Sequence, residues 1–398
     1  MKGAERLALR REREAKAPLI LQAGFRPFFL ASAIWFPSAM VLWLAALMGG
    51  LELSGTLPPT IWHRHELIFG GVGAAMAGYL LTATPNWSGR LPTVGFPLLL
   101  MVAWWALART MNTFIELTTP WPAAVIDAGF FLALAGAIGR ETIRSGGRGY
   151  VNVVLAAMFA IACGADQLAL SGAMTSQPEL HRLGIAILVV LLSLVGGKLI
   201  PSSTRNAVPK GARGAMTAQG TSFDKLANWV TVLAAASWVA RVEGVATGVL
   251  ALAALLQLAR AIRWRPWLIA REPSVLALHL AYAWLPIGLL GLALAGDDRL
   301  SDAIHLLTAG AISCMVLAVM ARIAVTQTGR LPSWRPAPLV AVLMVSAGAA
   351  VRAMAGFALI PFPTAWLVAG TSWLLGYVVF LVAFGPILVR PRVSQRAS

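Results

Sequence analysis

Long runs of hydrophobic residues, separated by short polar breaks, recur along the chain from residue 28 to residue 388. Each run holds about 17 to 25 residues, enough for one α-helix to cross a hydrocarbon core about 30 Å thick. About twelve such spans can be placed, at 28–50, 64–84, 94–112, 120–139, 149–170, 179–200, 226–242, 244–260, 273–296, 303–325, 337–356 and 361–388. The pattern predicts an all-α, polytopic membrane protein of about twelve transmembrane helices.

The composition supports this interpretation, because 58% of the residues are hydrophobic and only 12% are charged. With the N-terminus inside, most of the 32 Lys and Arg residues fall in segments on the cytoplasmic side, as expected for short loops of bacterial membrane proteins. Both termini are basic, so both are expected to be cytoplasmic. The net charge of +16 therefore reports topology in the bacterial inner membrane and does not indicate a nucleic-acid partner.

The expected organisation has three parts: a basic cytoplasmic N-terminal segment at 1–23, a twelve-helix transmembrane domain at 24–389, and a basic cytoplasmic tail at 390–398. No short apolar region with a small-residue cleavage site follows the N-terminal segment, so no cleaved signal is expected. The longest inner loop, about 201–225, is a connector rather than a separate domain. No repeat is convincing enough to indicate an inverted-repeat transporter.

Ionisable side chains at membrane depth are costly, so each is a candidate functional group. The five histidines are the most informative, because neutral imidazole is a common ligand of haem iron and copper. The topology places His63, His65, His181 and His305 near the outer ends of helices. His279 lies in the inner half of its span, where a hydrogen-bonded core histidine is the alternative.

The densest polar group is Trp62-His63-Arg64-His65-Glu66. On a regular helix His63 and Glu66 share a face with Gly70 and Gly73, and His65 points away from it. The two histidines should therefore not bind one metal ion from an undistorted helix. Metal ligation competes with a capping or interfacial role, and the glycines are explained either by a flat cofactor or by close helix packing.

Two further acids, Asp127 and Asp166, fall in the outer halves of their spans. With Glu66 they either line a proton or water path or reach the interface from helix ends. Cys163 and Cys314 lie inside predicted helices, which favours buried core thiols over a disulfide or a metal site. The 13 methionines are scattered without a paired ladder, which favours packing over Cu(I) binding.

Several motifs together resemble those of the NnrS family and cover about residues 24 to 335. The earlier ones are Gly24-Phe25-Arg26-Pro27-Phe28-Phe29, the Trp62 to Glu66 run with Phe69-Gly70, and Pro85-Asn86-Trp87-Ser88-Gly89-Arg90. The later ones are Gly196-Gly197-Lys198-Leu199-Ile200-Pro201, Thr204-Arg205-Asn206, Leu278-His279 with Tyr282, and His305 leading to Arg322 and Thr328-Gly329-Arg330.

The resemblance implies a twelve-helix inner-membrane protein that carries haem b, with copper as a second candidate, and that is associated with denitrification and protection from nitric oxide. It makes four histidines the favoured cofactor and metal ligands: His63, His65, His279 and His305. It also places four arginines toward the inner side, where they would hold haem propionates, pair with carboxylates or anchor loops to lipid phosphates: Arg26, Arg205, Arg322 and Arg330.

Two positions depart from the family pattern. Gln327 stands where the family usually has a histidine, and glutamine is a poor ligand of haem iron or copper, so one inner-side metal function is in doubt. Ser203 replaces the usual phenylalanine, which is a loss of packing rather than of chemistry. Neither change affects the outer histidines.

Three functions compete. The first is a haem membrane metalloprotein that binds nitric oxide and, if it is an enzyme, acts as a nitric oxide reductase-type oxidoreductase with Glu66 as the catalytic proton carrier. Its electrons would come from an external donor or the quinone pool, and its other partner is the lipid bilayer. The second is a non-enzymatic transporter or chaperone for haem, copper or metal–nitrosyl species. The third is a structural or sensory membrane protein. The pairing of histidines on one iron and the oligomeric state stay open.

Overall fold

A computed structural model of this chain describes residues 3–51, 59–89, 91–115, 121–147, 149–170, 181–208, 220–269, 272–356 and 359–393. In these ranges the secondary structure is helical, with no β-strand. The middle of the predicted inner connector and the end of the predicted C-terminal tail lie outside the described residues. The prediction of an all-α protein is confirmed.

The helices are α1 (Gly3–Lys16), α2 (Phe25–Leu47), α3 (Pro59–His65), π1 (Glu66–Val72), α4 (Gly73–Ser88), α5 (Phe96–Phe114), α6 (Trp121–Ile143), α7 (Tyr150–Leu170), α8 (His181–Ala207), α9 (Ser222–Val239), α10 (Glu243–Arg263), α11 (Pro273–Leu294), α12 (Leu300–His305), π2 (Leu306–Ile312), α13 (Ser313–Thr328), α14 (Ala337–Gly356) and α15 (Phe362–Leu388). Short 3-10 turns occur at Leu19–Leu21, Pro266–Ile269 and Asp297–Arg299.

Ten helical segments in the described ranges are long and apolar enough to cross a membrane, which makes this a multi-pass membrane protein. Two of them are continuous runs through a π-helix, Pro59–Ser88 and Asp297–Thr328. The helices α5 and α9 coincide with predicted spans but are not among the ten. Twelve crossings and two cytoplasmic termini therefore stay predictions.

By contacts the chain divides into two compact units. Unit 1 comprises Met1–Gly184, Ile323–Leu331 and Phe384–Ser398, and unit 2 comprises Ile185–Arg322 and Pro332–Ala383. Long helices with large apolar faces form the core of each unit, as expected where lipid replaces water around the protein.

Two stretches of the chain are similar to one another, although this similarity does not by itself indicate an inverted-repeat transporter. Ser88-Gly89-Arg90-Leu91-Pro92 has its counterpart in Thr328-Gly329-Arg330-Leu331-Pro332. Gly89 and Gly329 adopt left-handed φ angles of 69° and 67°, which glycine tolerates without a steric penalty. Both follow a helix that begins with a π-helix, so the similarity extends from sequence to local structure.

The same similarity appears at the π-helices. His65 directly precedes π1 and His305 directly precedes π2. A Cβ atom added to Gly70 in π1 would lie 2.6 Å from Trp35 Nε1, and one added to Gly310 in π2 would lie 2.7 Å from Trp284 Cε3. Each glycine therefore lets an indole from an earlier helix lie directly against the backbone.

The two stretches run in the same direction along the chain, since in each a short α-helix is followed by a π-helix and then a longer α-helix. The two stretches differ in charge: Leu306 begins π2 where Glu66 begins π1. Leucine carries no ionisable group, so π2 has no counterpart of the Glu66 carboxylate.

Candidate functional site

Six charged side chains from α3, π1, α5, α6 and α7 meet inside unit 1. We name them the unit 1 charge cluster: Arg64, His65, Glu66, Arg109, Asp127 and Asp166. Four of the five helical elements are parts of apolar spans, so burial of these groups follows from the packing of the helices. Among the six, Arg64 has the most exposed side chain, at 25%.

His65 joins two of the helices. Its Nδ1 lies 2.9 Å from Asp166 Oδ2 and its Nε2 lies 2.8 Å from Asp127 Oδ2, and the ring is fully buried. A carboxylate accepts hydrogen bonds only, so an imidazole that faces two carboxylates is best satisfied as a cation that donates from both nitrogens. This arrangement favours a charge-pairing role for His65.

Arg109 connects Glu66 with Asp127. Its Nη1 donates to Glu66 Oε1 at 2.7 Å, and its Nη2 donates to Asp127 Oδ1. Asn112, one turn later on α5, donates to Glu66 Oε1 at 3.1 Å and to Asp127 Oδ2 at 2.9 Å. Gln167 in turn donates to the Asn112 side-chain oxygen at 2.6 Å. The buried acids are therefore held by several donors at once.

The unit 1 charge cluster is balanced when His65 is protonated, since three cations face three carboxylates. Balanced and hydrogen-bonded charges are the form in which ionisable groups are tolerated at membrane depth. Asp127 and Asp166 are 0% and 1% exposed, which disagrees with the alternative that they reach the interface. The predicted association of both acids with Glu66 agrees with the geometry, and a proton path through them stays a prediction.

Arg109 was not among the candidate residues identified from the sequence. It is only 2% exposed and lies within α5, so it is part of the buried cluster. The available signal was an arginine inside an apolar run, which at membrane depth requires a buried partner. Asn112 and Gln167 carried no comparable signal, because uncharged amides are common in helices.

Glu66 differs from the other acids of the cluster in having a buried oxygen that makes no hydrogen bond to a described residue. That atom, Oε2, lies close to Gly70, since a Cβ added there would be 2.8 Å from it. The indole Nε1 of Trp35 also has no partner within the described ranges and lies at the same place. An acceptor and a donor therefore converge where Gly70 lacks a side chain.

We expect Gly70→Ala to lower the free energy of unfolding by about 1 to 3 kcal/mol, as overpacking of a rigid core does. The added methyl group would press on Trp35, Glu66 and Arg109, and their packing and ion pairs limit their movement. Gly136→Ala is the matched control, because nothing lies within 4 Å of a Cβ added there. Equal thermal unfolding midpoints for the two detergent-purified variants would contradict this expectation.

Cys163 lies beside the unit 1 charge cluster. Its Sγ, a ring nitrogen of His65 and a carboxylate oxygen of Asp127 are within 4.8 Å of one another. Cys163 and Cys314 are both buried free thiols, which confirms that part of the prediction. The proximity of three ligand atoms makes the first of these thiols a candidate metal ligand as well, a role that the sequence did not favour.

His63 lies in a different environment from His65. Its ring stacks on Trp43 with centroids 4.5 Å apart, and the side chain is half-buried. Both histidines belong to the regular part of the helix, before π1 begins. Their separate surroundings are consistent with the expectation that they do not share one metal ion, and ligation by His63 stays a prediction.

In unit 2, His279 and His305 are each oriented by one hydrogen bond. His279 Nε2 lies 2.8 Å from Thr204 Oγ1, and that hydroxyl donates to Ile200 O. His305 Nδ1 lies 2.7 Å from Ser301 O. A carbonyl or an engaged hydroxyl accepts, so the hydrogen-bonded nitrogen carries the proton in each ring and the other nitrogen keeps its lone pair.

Two of the four predicted arginines bind the end of α15 within unit 1. Arg26 Nη1 donates to Leu388 O at 2.6 Å and to Arg390 O at 2.8 Å, and Arg330 Nε donates to Pro391 O at 2.8 Å. Donors at a helix C-terminus satisfy carbonyl groups that lack helical partners. The contacts therefore give these side chains a structural role, and propionate binding stays a prediction.

The other two arginines are half-buried in unit 2, Arg205 near the end of α8 and Arg322 within α13. Arg322 interacts electrostatically with the carboxylate of Glu272. Gln327, which stands in place of a histidine, is also half-buried near the end of α13.

The family model described as NnrS protein matches residues 19–392, which is nearly the whole chain. No curated protein sequence matches the chain. The family match agrees with the resemblance seen in the sequence motifs.

Proposed function

The chain belongs to the NnrS protein family, and from this premise we propose that it is a haem b protein of the bacterial inner membrane that binds nitric oxide. Family membership by itself indicates a membrane protein of the nitric oxide response. Protection from nitrosative stress, or support of denitrification, is the role that follows. Reduction of nitric oxide is the reaction that we propose for test.

The observation that carries the haem proposal is the orientation of His305. Its Nδ1 faces a backbone carbonyl, so Nε2 holds the lone pair and makes no hydrogen bond to a described residue. Histidine ligands of metals characteristically donate their second nitrogen to a carbonyl or carboxylate in this way. His305 fits haem iron on this ground. Bound haem would supply the iron to which nitric oxide binds.

Copper has a separate candidate set. His65, Asp127 and Cys163 offer nitrogen, oxygen and sulfur atoms close to one another, and imidazole with thiolate suits copper. Binding there would require His65 to lose the proton that it shares with Asp127. We therefore propose copper as a secondary occupant of this set, with the charge-pairing role of His65 as the alternative.

Glu66 is the residue that we propose as the proton carrier. Reduction of two nitric oxide molecules to nitrous oxide and water consumes two protons and two electrons. Among the acids of the unit 1 charge cluster, Glu66 has the oxygen that bonds to no residue of the described chain, so a proton can bind at Oε2 without breaking the contact to Arg109. The other two acids use both oxygens in ion pairs.

The test is an absorption spectrum of the detergent-purified protein, oxidised, reduced, and reduced with nitric oxide, together with its iron and copper content. We expect a haem Soret band that shifts when nitric oxide is added. Folded protein with a featureless spectrum, purified from haem-replete cells, would overturn the haem proposal.

A transporter or chaperone for haem, copper or metal–nitrosyl species is the second candidate. The similarity between the two segments that contain the π-helices favours it, because many membrane transporters are built from internal repeats. The two candidate functions predict different amounts of haem in the purified protein. A protein that purifies without haem and binds metal only weakly would support transport over catalysis.

A further inference from the structure

A cavity of about 1010 Å³ lies within unit 1, where the end of α1 comes close to the end of α6. Its charged lining consists of Arg13, Lys16, Arg140, Glu141 and Arg144. Four cations therefore share the lining with one acid, and we name this space the basic cavity. A cavity in which one sign of charge dominates concentrates ligands of the opposite sign, so an anion is the ligand that it suits.

The walls of the basic cavity are held in place by contacts within unit 1. Gly95 in the lining donates its backbone N–H to Leu21 O at 2.9 Å, and a Cβ added to it would lie 3.8 Å from Ala17 Cβ. The segment after α1 is thus fixed to the start of α5. The backbone N–H of Arg144 donates to Arg140 O at 3.4 Å, so these two side chains share one face at the end of α6.

The ion pairs at the basic cavity are exposed to solvent. Lys16 Nζ lies 2.6 Å from Glu12 Oε1, with side chains that are 75% and 57% exposed. Arg140 Nε lies 3.3 Å from Glu141 Oε1, and the arginine side chain is 65% exposed. Exposed pairs contribute little, because water screens them. The cations of α1 and α6 therefore repel one another around the cavity, and a bound anion would relieve this repulsion.

The place of the basic cavity in the fold points to a membrane lipid. Two apolar spans end beside it, Pro59–Ser88 and Trp121–Ile143, and a transmembrane helix ends at the level of the lipid head groups. Phe96, which lines the cavity, and Ile143, which precedes Arg144, are 67% and 79% exposed. Cations for a phosphate group and apolar surface for acyl chains therefore lie side by side, and a free phosphate would use only the cations.

We propose that the basic cavity binds the head group of an anionic phospholipid, with its phosphate between the cations of α1 and α6 and its acyl chains against Phe96. Arginine suits phosphate because its planar guanidinium can donate two parallel hydrogen bonds. Basic pockets between membrane helices bind anionic lipid heads through this chemistry. The bound lipid would link α1 to α6. This inference does not depend on haem or nitric oxide, so it can fail while the proposed function stands.

The test measures lipid binding to the full-length, detergent-purified protein by native mass spectrometry, with palmitoyl-oleoyl phosphatidylglycerol as the probe. We expect it to bind about tenfold more tightly than phosphatidylcholine with the same acyl chains. The double variant Arg140→Gln, Arg144→Gln should weaken phosphatidylglycerol binding about twentyfold, because each cation near an anionic head group contributes about fivefold. The double variant Arg13→Gln, Lys16→Gln should weaken it to a similar extent.

The matched control is the double variant Arg335→Gln, Arg392→Gln, which removes the same charge from two exposed arginines outside the cavity. It should change the affinity about twofold or less, since exposed charges at a distance are screened. Glu141→Gln should instead tighten binding about twofold to fivefold, because it removes the acid of the lining. A purely structural role of these side chains would not give opposite signs.

Three results would overturn the proposal. Equal weakening in the cavity variants and in the control would show a general attraction between a basic surface and acidic lipid. Equal affinity for phosphatidylglycerol and phosphatidylcholine would exclude recognition of an anionic head group. Displacement of the lipid by millimolar inorganic phosphate would assign the cavity to a soluble phosphate compound instead.

Discussion

Arg109→Met is expected to destabilise the protein by about 3 to 5 kcal/mol, because removal of one partner leaves buried charges uncompensated. Arg109 is only 2% exposed and contacts both Glu66 and Asp127. Methionine fills a similar volume, so the loss would report charge rather than shape. Thermal unfolding of the detergent-purified variant, followed by size-exclusion chromatography, measures the effect.

The control for this variant is Arg140→Met on α6. The Arg140 side chain is 65% exposed and pairs with a neighbouring glutamate, so its removal should change stability by about 1 kcal/mol or less. A second control also removes one carboxylate. The double variant Arg109→Met, Glu66→Gln leaves two cations facing two carboxylates and should recover most of the lost stability. If Arg109→Met and Arg140→Met unfold at the same temperature, the buried ion pairs do not support the fold.

His305→Ala is expected to lower the haem content of the purified protein at least about tenfold, because a ligand bond to iron has no substitute in alanine. The Nε2 atom that would bind iron is oriented by the bond from Nδ1 to Ser301 O. Iron analysis and the pyridine haemochrome spectrum, each divided by protein concentration, measure the loss. The variant must elute as a folded monodisperse species for the comparison to hold.

Two further variants serve as controls for this prediction. His181→Ala changes a histidine outside the proposed ligands and should retain haem. Imidazole added during purification of His305→Gly should restore haem, since free imidazole can occupy the space left by the side chain. Full haem content in His305→Ala would exclude His305 as an essential ligand and would direct attention to His63 and His279.

The positions of the helical spans could largely be predicted from local sequence. The first predicted span, 28–50, is observed as Phe25–Leu47, and the span 64–84 is observed within the longer run Pro59–Ser88. Length and apolarity determine such helices, because the backbone must satisfy its own hydrogen bonds in lipid. The π-helices are not visible in this pattern. In each of them a glycine allows an indole, Trp35 or Trp284, to pack against the backbone.

The candidate site, in contrast, could be predicted only in part from local sequence. Glu66, Asp127 and Asp166 were identified as candidates because acids are rare at membrane depth. Arg109 was not identified as a candidate, and Cys163 was interpreted as a buried core thiol in preference to a disulfide or a metal ligand. Hydropathy treats each residue by itself, and it contains no information about which helix faces which.

The sequence by itself determined that this chain is an apolar, multi-helix membrane protein and that it resembles the NnrS family, since both rest on residue types and their order. Only the tertiary structure decided the state of His65, which lies between two carboxylates from α6 and α7. The partner of His305 is a carbonyl four residues earlier in its own helix. The physical reason is that a ring nitrogen binds a proton or a metal according to its neighbours, and the neighbours of His65 are distant in sequence.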